Sequence, residues 1–360
     1  MAVQGVLPRQ AIARMIAQRQ ITMGVVPALD CQIQPASLDL RLSHRAWRVR
    51  ASFLTGSGKT VSDRLNEFAM HEVDLSHGAV LEKGCVYVVS LMESLALPGN
   101  ISAVANARSS TGRLDLLTRC LVDHGIEFDR IGPGYTGPLY AEISPRSFSV
   151  LVRPGQRLSH VRFRRGRTVL SDCALRDLYR KVQLVDVPPQ IDNGLGFSVD
   201  LRGAANGLAG YRAKPHTGLI DLERIGYYPA SEFWEPIYAH DGRIILDPGA
   251  FYILVSREAV TIPPTHAAEM APYLAMVGEF RVHYAGFFDP GFGWAAAGGT
   301  GSRGVLEVRC HEAPFVLEHG QSVGRLVYET MTEPPDVPYG LGIKSNYQGQ
   351  GLKLAKQFRP

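Results

Sequence analysis

The sequence has few cysteines, and none of them is paired by its spacing. The five cysteines lie singly along 360 residues, at Cys31, Cys85, Cys120, Cys173 and Cys310. An odd number without a repeated short spacing argues against a disulfide framework, and the lack of a CxxC pair argues against a zinc-thiolate site. We therefore expect reduced thiols and a cytoplasmic protein.

Long apolar runs and a strong charge of one sign are also missing. No stretch of roughly 18 apolar residues occurs, and the N-terminus lacks a basic region followed by an apolar run, so we expect no membrane span. The formal net charge is +4, from 38 basic and 34 acidic residues. A nucleic-acid binder usually concentrates basic residues in a patch or stripe, so we expect no nucleic-acid partner either.

The sequence does contain many short strand signals separated by glycine and proline. One segment with the periodicity of a helix occurs early, from Pro8 to Gln20. Alternating apolar and polar residues then recur at 34–49, 79–97 and 158–163. Many short strands with little helix predict a mainly all-β fold, either a sandwich or a distorted barrel, after a short N-terminal helix.

A polar segment from Phe53 to Arg64 resembles part of a phosphate-binding loop. It contains the run Gly56-Ser57-Gly58-Lys59-Thr60. The full pattern needs a glycine where Phe53 stands, no apolar strand leads in, and no helix clearly follows. We therefore interpret this segment as an ordinary loop.

A dense set of hydrogen-bond donors follows in the run Arg108-Ser109-Ser110-Thr111-Gly112-Arg113. Arginine offers a planar fork and serine a short donor, and together they suit phosphate oxygens. The later segment Arg130 to Glu142 carries Gly132-Pro133-Gly134 and Gly137-Pro138 among β-favouring residues, which predicts a hairpin that holds a base. Both halves of a nucleotide would then find a site.

The second half of the chain repeats the first. The run from Ser37 to Arg41 returns at 198–202, and the turn at 130–135 has its counterpart at 287–292. Glu142 precedes Gly155-Gln156 by the same interval that separates Glu307 from Gly320-Gln321. This pattern predicts a tandem duplication, with domains at 1–186 and 187–360 joined near two consecutive prolines.

These elements together resemble the dCTP deaminases of the trimeric dUTPase-like superfamily. The run 108–113 is similar to that family's triphosphate element, and 130–137 is similar to its pyrimidine hairpin, with Gly132 in place of the family's aspartate. The resemblance implies tandem dUTPase-like distorted β-barrel or β-clip domains, and hydrolysis of dCTP to dUTP and ammonia.

The resemblance also implies which residues act. The implied catalytic residues are Glu142, Glu307, Ser109 and Arg113. The implied substrate-binding residues are Arg108, Ser110, Thr111, Gly112, Tyr135, Asp289, Lys344, Tyr347, Gln348 and Gln350. The last four belong to a C-terminal run that is similar to the family's closing tail, which folds over the triphosphate.

The two copies differ in ways that leave the catalytic acid open. The second copy has lost the Arg/Ser run but keeps Asp289 and Glu307. Since the family's site lies between subunits, the Arg/Ser run of one copy could face Glu307 of another. In the plainer arrangement, Glu142 works and the second copy is a structural partner.

Deamination of cytosine does not require a metal-activated water. Zinc deaminases use H-x-E and P-C-x-x-C ligand sets, and neither occurs here. A carboxylate that shuttles protons, helped by serine and arginine, is the remaining route, so we expect no zinc. The resemblance implies Mg²⁺ on the triphosphate, a homo-oligomer, either a trimer or a pseudo-symmetric assembly, and dTTP or dUTP as inhibitor or product. A dUTP diphosphatase, a bifunctional enzyme and a non-catalytic nucleotide sensor remain alternatives.

Overall fold

The computed structural model describes residues 3–29, 31–203, 207–272, 280–283, 286–297, 299–310, 312–341 and 349–360. Contacts group the chain into two compact units. The first contains Met1–Arg167, Thr217–Tyr228 and Ala355–Arg359, and the second contains Thr168–His216, Pro229–Leu354 and Pro360. Two short segments from the second half of the sequence therefore belong to the first unit.

The described residues form mostly strands and a few short helices, as the sequence predicts. The helices are α1 (Arg9–Ala17), α2 (Val61–Phe68), α3 (Ser109–Gly112), α4 (Asp172–Lys181) and α5 (Ala230–Phe233), with a 3-10 turn at Ala295–Ala297. The strands are β1 (Gly5–Val6), β2 (Ile21–Thr22), β3 (Leu38–Val49), β4 (Ala69–Asp74), β5 (Ala79–Leu81), β6 (Val86–Ala96), β7 (Ile101–Ala107), β8 (Leu116–Val122), β9 (Arg130–Ile131), β10 (Thr136–Pro145), β11 (Val150–Val152), β12 (Arg157–Arg165), β13 (Leu195–Ser198), β14 (Leu208–Ala213), β15 (Ile220–Asp221), β16 (Tyr228–Pro229), β17 (Trp234–Tyr238), β18 (Arg243–Leu246), β19 (Phe251–Val260), β20 (His266–Pro272), β21 (Phe280–His283), β22 (Phe287–Phe288), β23 (Ser302–Cys310), β24 (Phe315–Glu318), β25 (Ser322–Thr330) and β26 (Phe358–Arg359). None of the described helices is long and apolar enough to cross a membrane.

The first unit is built on one antiparallel sheet that curls around its core. Its strand order is β8-β10-β6-β3-β12-β7-β9, with β1, β2 and β4 paired at its sides. Strand β7 alternates buried and partly exposed residues, because successive side chains point to opposite faces of a sheet. The early helix is α1, and its buried residues are Ala11, Ile12 and Met15. The distorted β-barrel fold with a short N-terminal helix is confirmed.

The second unit repeats these pairings in two separate sheets. Their orders are β13-β25-β20-β22 and β17-β14-β19-β23-β21. The pairing of β12 with β3 and β7 returns as β25 with β13 and β20, and the pairing of β6 with β3 and β10 returns as β19 with β14 and β23. The single long strand β3 is replaced by two shorter strands, so the sheet divides where β3 is continuous in the first unit.

The contact boundary lies at 167/168, earlier in the sequence than the expected division at 186/187. The difference concerns helix α4. Its Leu175, together with Leu184 and Val185, is buried in the hydrophobic core of the second unit. Side-chain packing thus assigns this helix to the unit that follows it.

The segment 53–64 is not entirely a loop, which corrects the sequence interpretation. Helix α2 begins after Thr60, whose hydroxyl accepts from the Asp63 amide while the Asp63 carboxylate accepts from the Thr60 amide. This capping box satisfies two amide donors at the helix start. Lys59 pairs with Glu67 of the same helix. The lysine and threonine of the phosphate-loop-like run therefore have structural partners.

Candidate active site

The Arg/Ser run forms a single helical turn at the end of β7. Arg108 is extended and precedes α3, and its carbonyl accepts from the amides of Thr111 and Gly112 at 2.8 and 2.9 Å. Arg108, Ser109 and Ser110 are partly exposed, whereas Thr111, Gly112 and Arg113 are buried. The turn thus divides the predicted phosphate residues into an accessible group and a buried group that supports it.

A cavity of about 300 Å³ opens beside this turn, within the first unit. Arg108, Ser110 and Thr111 line it, together with Gln156 and Arg157 at the start of β12. The segments that return from the second half of the sequence complete the wall with Leu222, Glu223, Ile225, Lys356 and Gln357. A cavity of this size lies at the small end of the range for ligand pockets.

The buried carboxylate of Asp39 pairs with two of the arginines that line the cavity. Asp39 is fully buried. Its Oδ2 lies 3.2 Å from Nη1 of Arg108 and 3.3 Å from Nη1 of Arg157. Its Oδ1 is also buried and has no hydrogen-bond partner among the described residues. Burial raises the pKa of the Asp39 carboxyl, while the positive charges of Arg108 and Arg157 lower it. Asp39 therefore positions the two guanidiniums at the cavity.

Glu142 is another buried acid of the first unit. It lies on β10, opposite Arg119 on β8 and Val88 on β6. Its Oε1 accepts from Arg119 Nε at 3.2 Å and Nη2 at 2.5 Å, and Arg119 also stacks 3.6 Å from the ring centre of Phe128. Within the described part of the chain, the buried Oε2 has no hydrogen-bond partner. One oxygen is thus held, and the other is available to a proton or a water.

The segment Arg130–Gly137 is a turn and not a hairpin, which corrects the sequence prediction. Strand β9 pairs with β7, whereas β10 pairs with β6 and β8, so the two flanking strands do not pair with each other. Tyr135 fixes the turn, because its hydroxyl donates to the Pro138 carbonyl at 2.7 Å and accepts from the Asp123 amide at 3.3 Å. Burial raises the pKa of this hydroxyl. A Cβ added at Gly132 would meet no atom within 4 Å.

The predicted residues of the second copy lie in the second unit. Glu307 is buried on β23, opposite Ile253 on β19 and His283 on β21. Asp289 is buried directly after β22. Gln350 is bound to β23, since its carbonyl accepts from the Arg303 amide and its side chain donates to the Arg303 carbonyl, both at 3.2 Å. Lys344, Tyr347 and Gln348 lie outside the described residues.

Sequence reasoning missed several residues that the fold brings to the Arg/Ser turn. No role in the site is predicted from the sequence for Asp39, Arg157, Lys356 or Gln357. The run Pro154-Gly155-Gln156-Arg157 gave a local signal, because it sets a basic residue directly after a turn. No local signal marks Lys356, which lies 248 positions after Arg108 in the chain. Over the described ranges, no group of three or more His, Cys, Asp or Glu side chains is placed to hold a metal ion.

The curled β-sheet, the Arg/Ser turn beside a cationic cavity and the buried glutamate agree with the dUTPase-like fold that the sequence resemblance implies. Comparison with known proteins identifies the family. Residues 3–167 match the family described as "2'-deoxycytidine 5'-triphosphate deaminase (DCD) N-terminal domain", and residues 171–358 match the corresponding C-terminal domain. The chain belongs to the dCTP deaminase family.

Individual relatives agree with this assignment. The crystal structure of 2'-deoxycytidine 5'-triphosphate deaminase from Agrobacterium tumefaciens is 56% identical, with a TM-score of 0.88 over 91% of this chain and 99% of that one. A "dCTP deaminase, dUMP-forming" from Methanothermobacter thermautotrophicus is 31% identical over 51% of this chain and 89% of its own length. A protein of the same name from Corynebacterium jeikeium is 34% identical over 31% of this chain, and the match spans 56% of its length.

Proposed function

We propose that this chain hydrolyses dCTP to dUTP and ammonia in pyrimidine deoxynucleotide metabolism, with Glu142 as the acid and base. The observation that carries the proposal is the state of the Glu142 carboxylate. Arg119 holds one oxygen, while the other is buried without a partner among the described residues. The family to which the chain belongs indicates deamination of dCTP as the reaction, and the Glu142 carboxylate is a group that could transfer the protons this reaction needs.

Deamination at C4 of cytosine needs a proton removed from the attacking water and a proton delivered to the departing amine. A single carboxylate can do both in turn when it lies within hydrogen-bond reach of the water and the amine. The free Oε2 of Glu142 would take the proton from water and then return it to the amine. The pairing with Arg119 keeps the carboxylate in one orientation, so little reorganisation is needed during the reaction.

The Arg/Ser turn would bind the triphosphate and assist the chemistry. Arg108, Ser110 and Thr111 line the cavity, where short donors and a guanidinium suit phosphate oxygens. Ser109 and Arg113 are the proposed helpers, which would hold water and stabilise developing charge. Tyr135 fixes the turn that would contact the base. Lys344, Tyr347, Gln348 and Gln350 are further proposed substrate-binding residues, on the resemblance of their run to the family's closing tail.

Magnesium would be bound mainly through the triphosphate oxygens, because Mg²⁺ prefers phosphate oxygens and water to an all-protein cage. Within the described residues, the buried Asp39 Oδ1 has no partner and is an acceptor beside the Arg108 cavity that would suit a hydrated ion. The bound ion would neutralise part of the charge of the phosphates. In this proposal Arg108 and Arg157 orient the phosphate chain.

The proposal extends to product, assembly and location. Gly132 stands where the family's turn has an aspartate that would activate water against phosphorus, which favours dUTP as the final product. Both relatives from Methanothermobacter thermautotrophicus and Corynebacterium jeikeium are nonetheless named dUMP-forming, so a bifunctional enzyme is the alternative to test. We propose a cytoplasmic homo-oligomer, a trimer or a pseudo-symmetric assembly, with dTTP or dUTP as the candidate inhibitors.

Product analysis tests the proposal. The protein would be incubated with dCTP and Mg²⁺, with and without a zinc-selective chelator, and ammonia, dUTP and dUMP would be measured. We expect ammonia and dUTP in equal amounts, unaffected by the chelator. Accumulation of dUMP with pyrophosphate would establish the bifunctional alternative, and binding of dCTP without turnover would establish a sensor.

A further inference from the structure

The C-terminal segment Ala355–Arg359 is built into the first unit, although it follows the whole second copy in sequence. Main-chain hydrogen bonds join it to the returning segment Thr217–Tyr228: the amide of Gly226 donates to the Lys356 carbonyl at 2.9 Å, and the amide of Tyr227 donates to the Gln357 carbonyl at 3.0 Å. The Phe358 ring lies against Phe148, with ring centres 6.3 Å apart. The segment is therefore a fixed part of the cavity wall.

Two side chains of this segment line the cavity. Lys356 is partly buried, and Gln357 is buried with 3% exposure. The Gln357 amide donates to the Leu222 carbonyl at 3.1 Å, but its buried Oε1 has no hydrogen-bond partner among the described residues. A buried acceptor without a partner costs free energy unless water or a ligand satisfies it. The wall is thus polar on the side that the C-terminal segment supplies.

The charges around the cavity do not balance. Arg108, Arg157 and Lys356 contribute three positive charges, whereas Asp39 is the one fully buried carboxylate that pairs with them among the described residues. Glu223 also lines the cavity, but its side chain is 57% exposed and pairs with Arg153. Burial lowers the pKa of Lys356, and the charges of Arg108 and Arg157 lower it further. An anion in this cavity would relieve that repulsion.

We propose that Lys356 binds the phosphate chain of the substrate and sets the preference for a triphosphate over shorter phosphate chains. This inference rests on the proposed function, because it takes the Arg108 cavity as the phosphate site. A third cation in the wall of the same cavity favours the ligand with the greatest negative charge. Lys356 is a specificity residue in this scheme, since it lies on the phosphate side of the site.

Calorimetric titration with inorganic tripolyphosphate and Mg²⁺ tests the phosphate contact without requiring turnover. The variants are Lys356→Gln, Lys356→Arg and, as a matched control, Lys83→Gln, whose lysine is exposed in the turn before β6. We expect Lys356→Gln to weaken binding by about 10-fold to 100-fold, the range of a lost charged hydrogen bond. Lys356→Arg and Lys83→Gln should bind as the parent does.

Steady-state kinetics with dCTP and dCMP test the preference. Lys356→Gln should raise KM for dCTP and leave kcat and the KM for dCMP unchanged, with Lys356→Arg restoring the parent values. Parent-like binding of tripolyphosphate by Lys356→Gln would overturn the inference, as would an equal rise in KM for both nucleotides or a loss of folding that Lys356→Arg shares. If the parent binds tripolyphosphate through Lys356 but deaminates neither nucleotide, the proposed function fails and the phosphate contact stands.

Discussion

The two units carry a buried glutamate at the same place in matching sheets, but its neighbour across the strands differs. Glu142 on β10 lies opposite Arg119, whereas Glu307 on β23 lies opposite His283. The strands on the other side also match, because Val88 and Ile253 occupy the same register. Duplication therefore preserved the position of the acid while the residue that faces it changed.

The aspartates of the two S-x-D-L-R runs show a second difference. Asp39 holds Arg108 and Arg157 and keeps one oxygen without a partner among the described residues. In the second unit, Asp200 pairs with Arg303 at 2.8 Å and also accepts from the Arg202 amide at 3.0 Å. Asp200 thus has partners on both oxygens within its own unit, whereas Asp39 positions cations at a cavity.

Replacing each of the two glutamates by glutamine, one at a time, should give the largest effect on activity. It tests directly whether the two units differ in catalysis. We expect Glu142→Gln to lower kcat for dCTP by about 100-fold to 10,000-fold, because the amide cannot carry a proton between water and the amine. Glu307→Gln should leave kcat close to that of the parent. Steady-state deamination assays check this, and the binding of tripolyphosphate by both variants serves as the control for folding.

A larger loss in Glu307→Gln would contradict the assignment. It would support the alternative in which the Arg/Ser turn of one copy faces the acid of another. Comparable large losses in both variants would point to two acids acting together, and a mixture of the two inactive variants that regains activity would then show a site shared between chains.

The matched acids of β6 and β19 allow a test of stability. Glu93 pairs with the fully buried Arg41 at 2.7 Å, whereas Glu258 accepts from the amide and hydroxyl of Ser198 at 2.8 and 2.5 Å. Glu93→Gln should lower the free energy of unfolding by about 3–5 kcal/mol, because it leaves a buried guanidinium without its counterion. Glu258→Gln should cost about 1–3 kcal/mol, since one of two neutral donors of Ser198 loses its acceptor oxygen and no buried cation is left unpaired.

Denaturant unfolding of the two variants measures this difference. Equal losses would contradict the expectation and would mean that the carbonyls of Met23, Val26 and Pro27, which also accept from Arg41, compensate its charge. The stability loss would then depend on removing a buried carboxylate, and not on whether its partner is Arg41 or Ser198.

The parts of the site that the sequence predicted are those whose residues are contiguous. The Arg/Ser turn at 108–113 and Glu142 could be proposed from the sequence, because each lies in a short run of characteristic residue types. The partner of Glu142 could not, because Arg119 meets it only through the register of β8 and β10. Lys356 reaches the cavity through a segment that returns from the other end of the chain. Helix α2 was predictable, since Thr60 and Asp63 form a capping box visible in the sequence.

The smallest expected effect concerns the turn that lost its aspartate. The first copy has Gly132 where the second has Asp289, and a Cβ at Gly132 would meet no atom within 4 Å. Gly132→Asp should therefore change the free energy of unfolding by about 0.5 kcal/mol or less, as for an ordinary surface substitution. Gly134→Asp is the matched control and should cost about 1–2 kcal/mol, because Gly134 has a φ of +74°, which disfavours a side chain. Thermal unfolding compares the two variants. A loss at Gly132→Asp as large as that at Gly134→Asp would mean that packing excludes a carboxylate from this turn, and that the copies differ here for a structural and not a chemical reason.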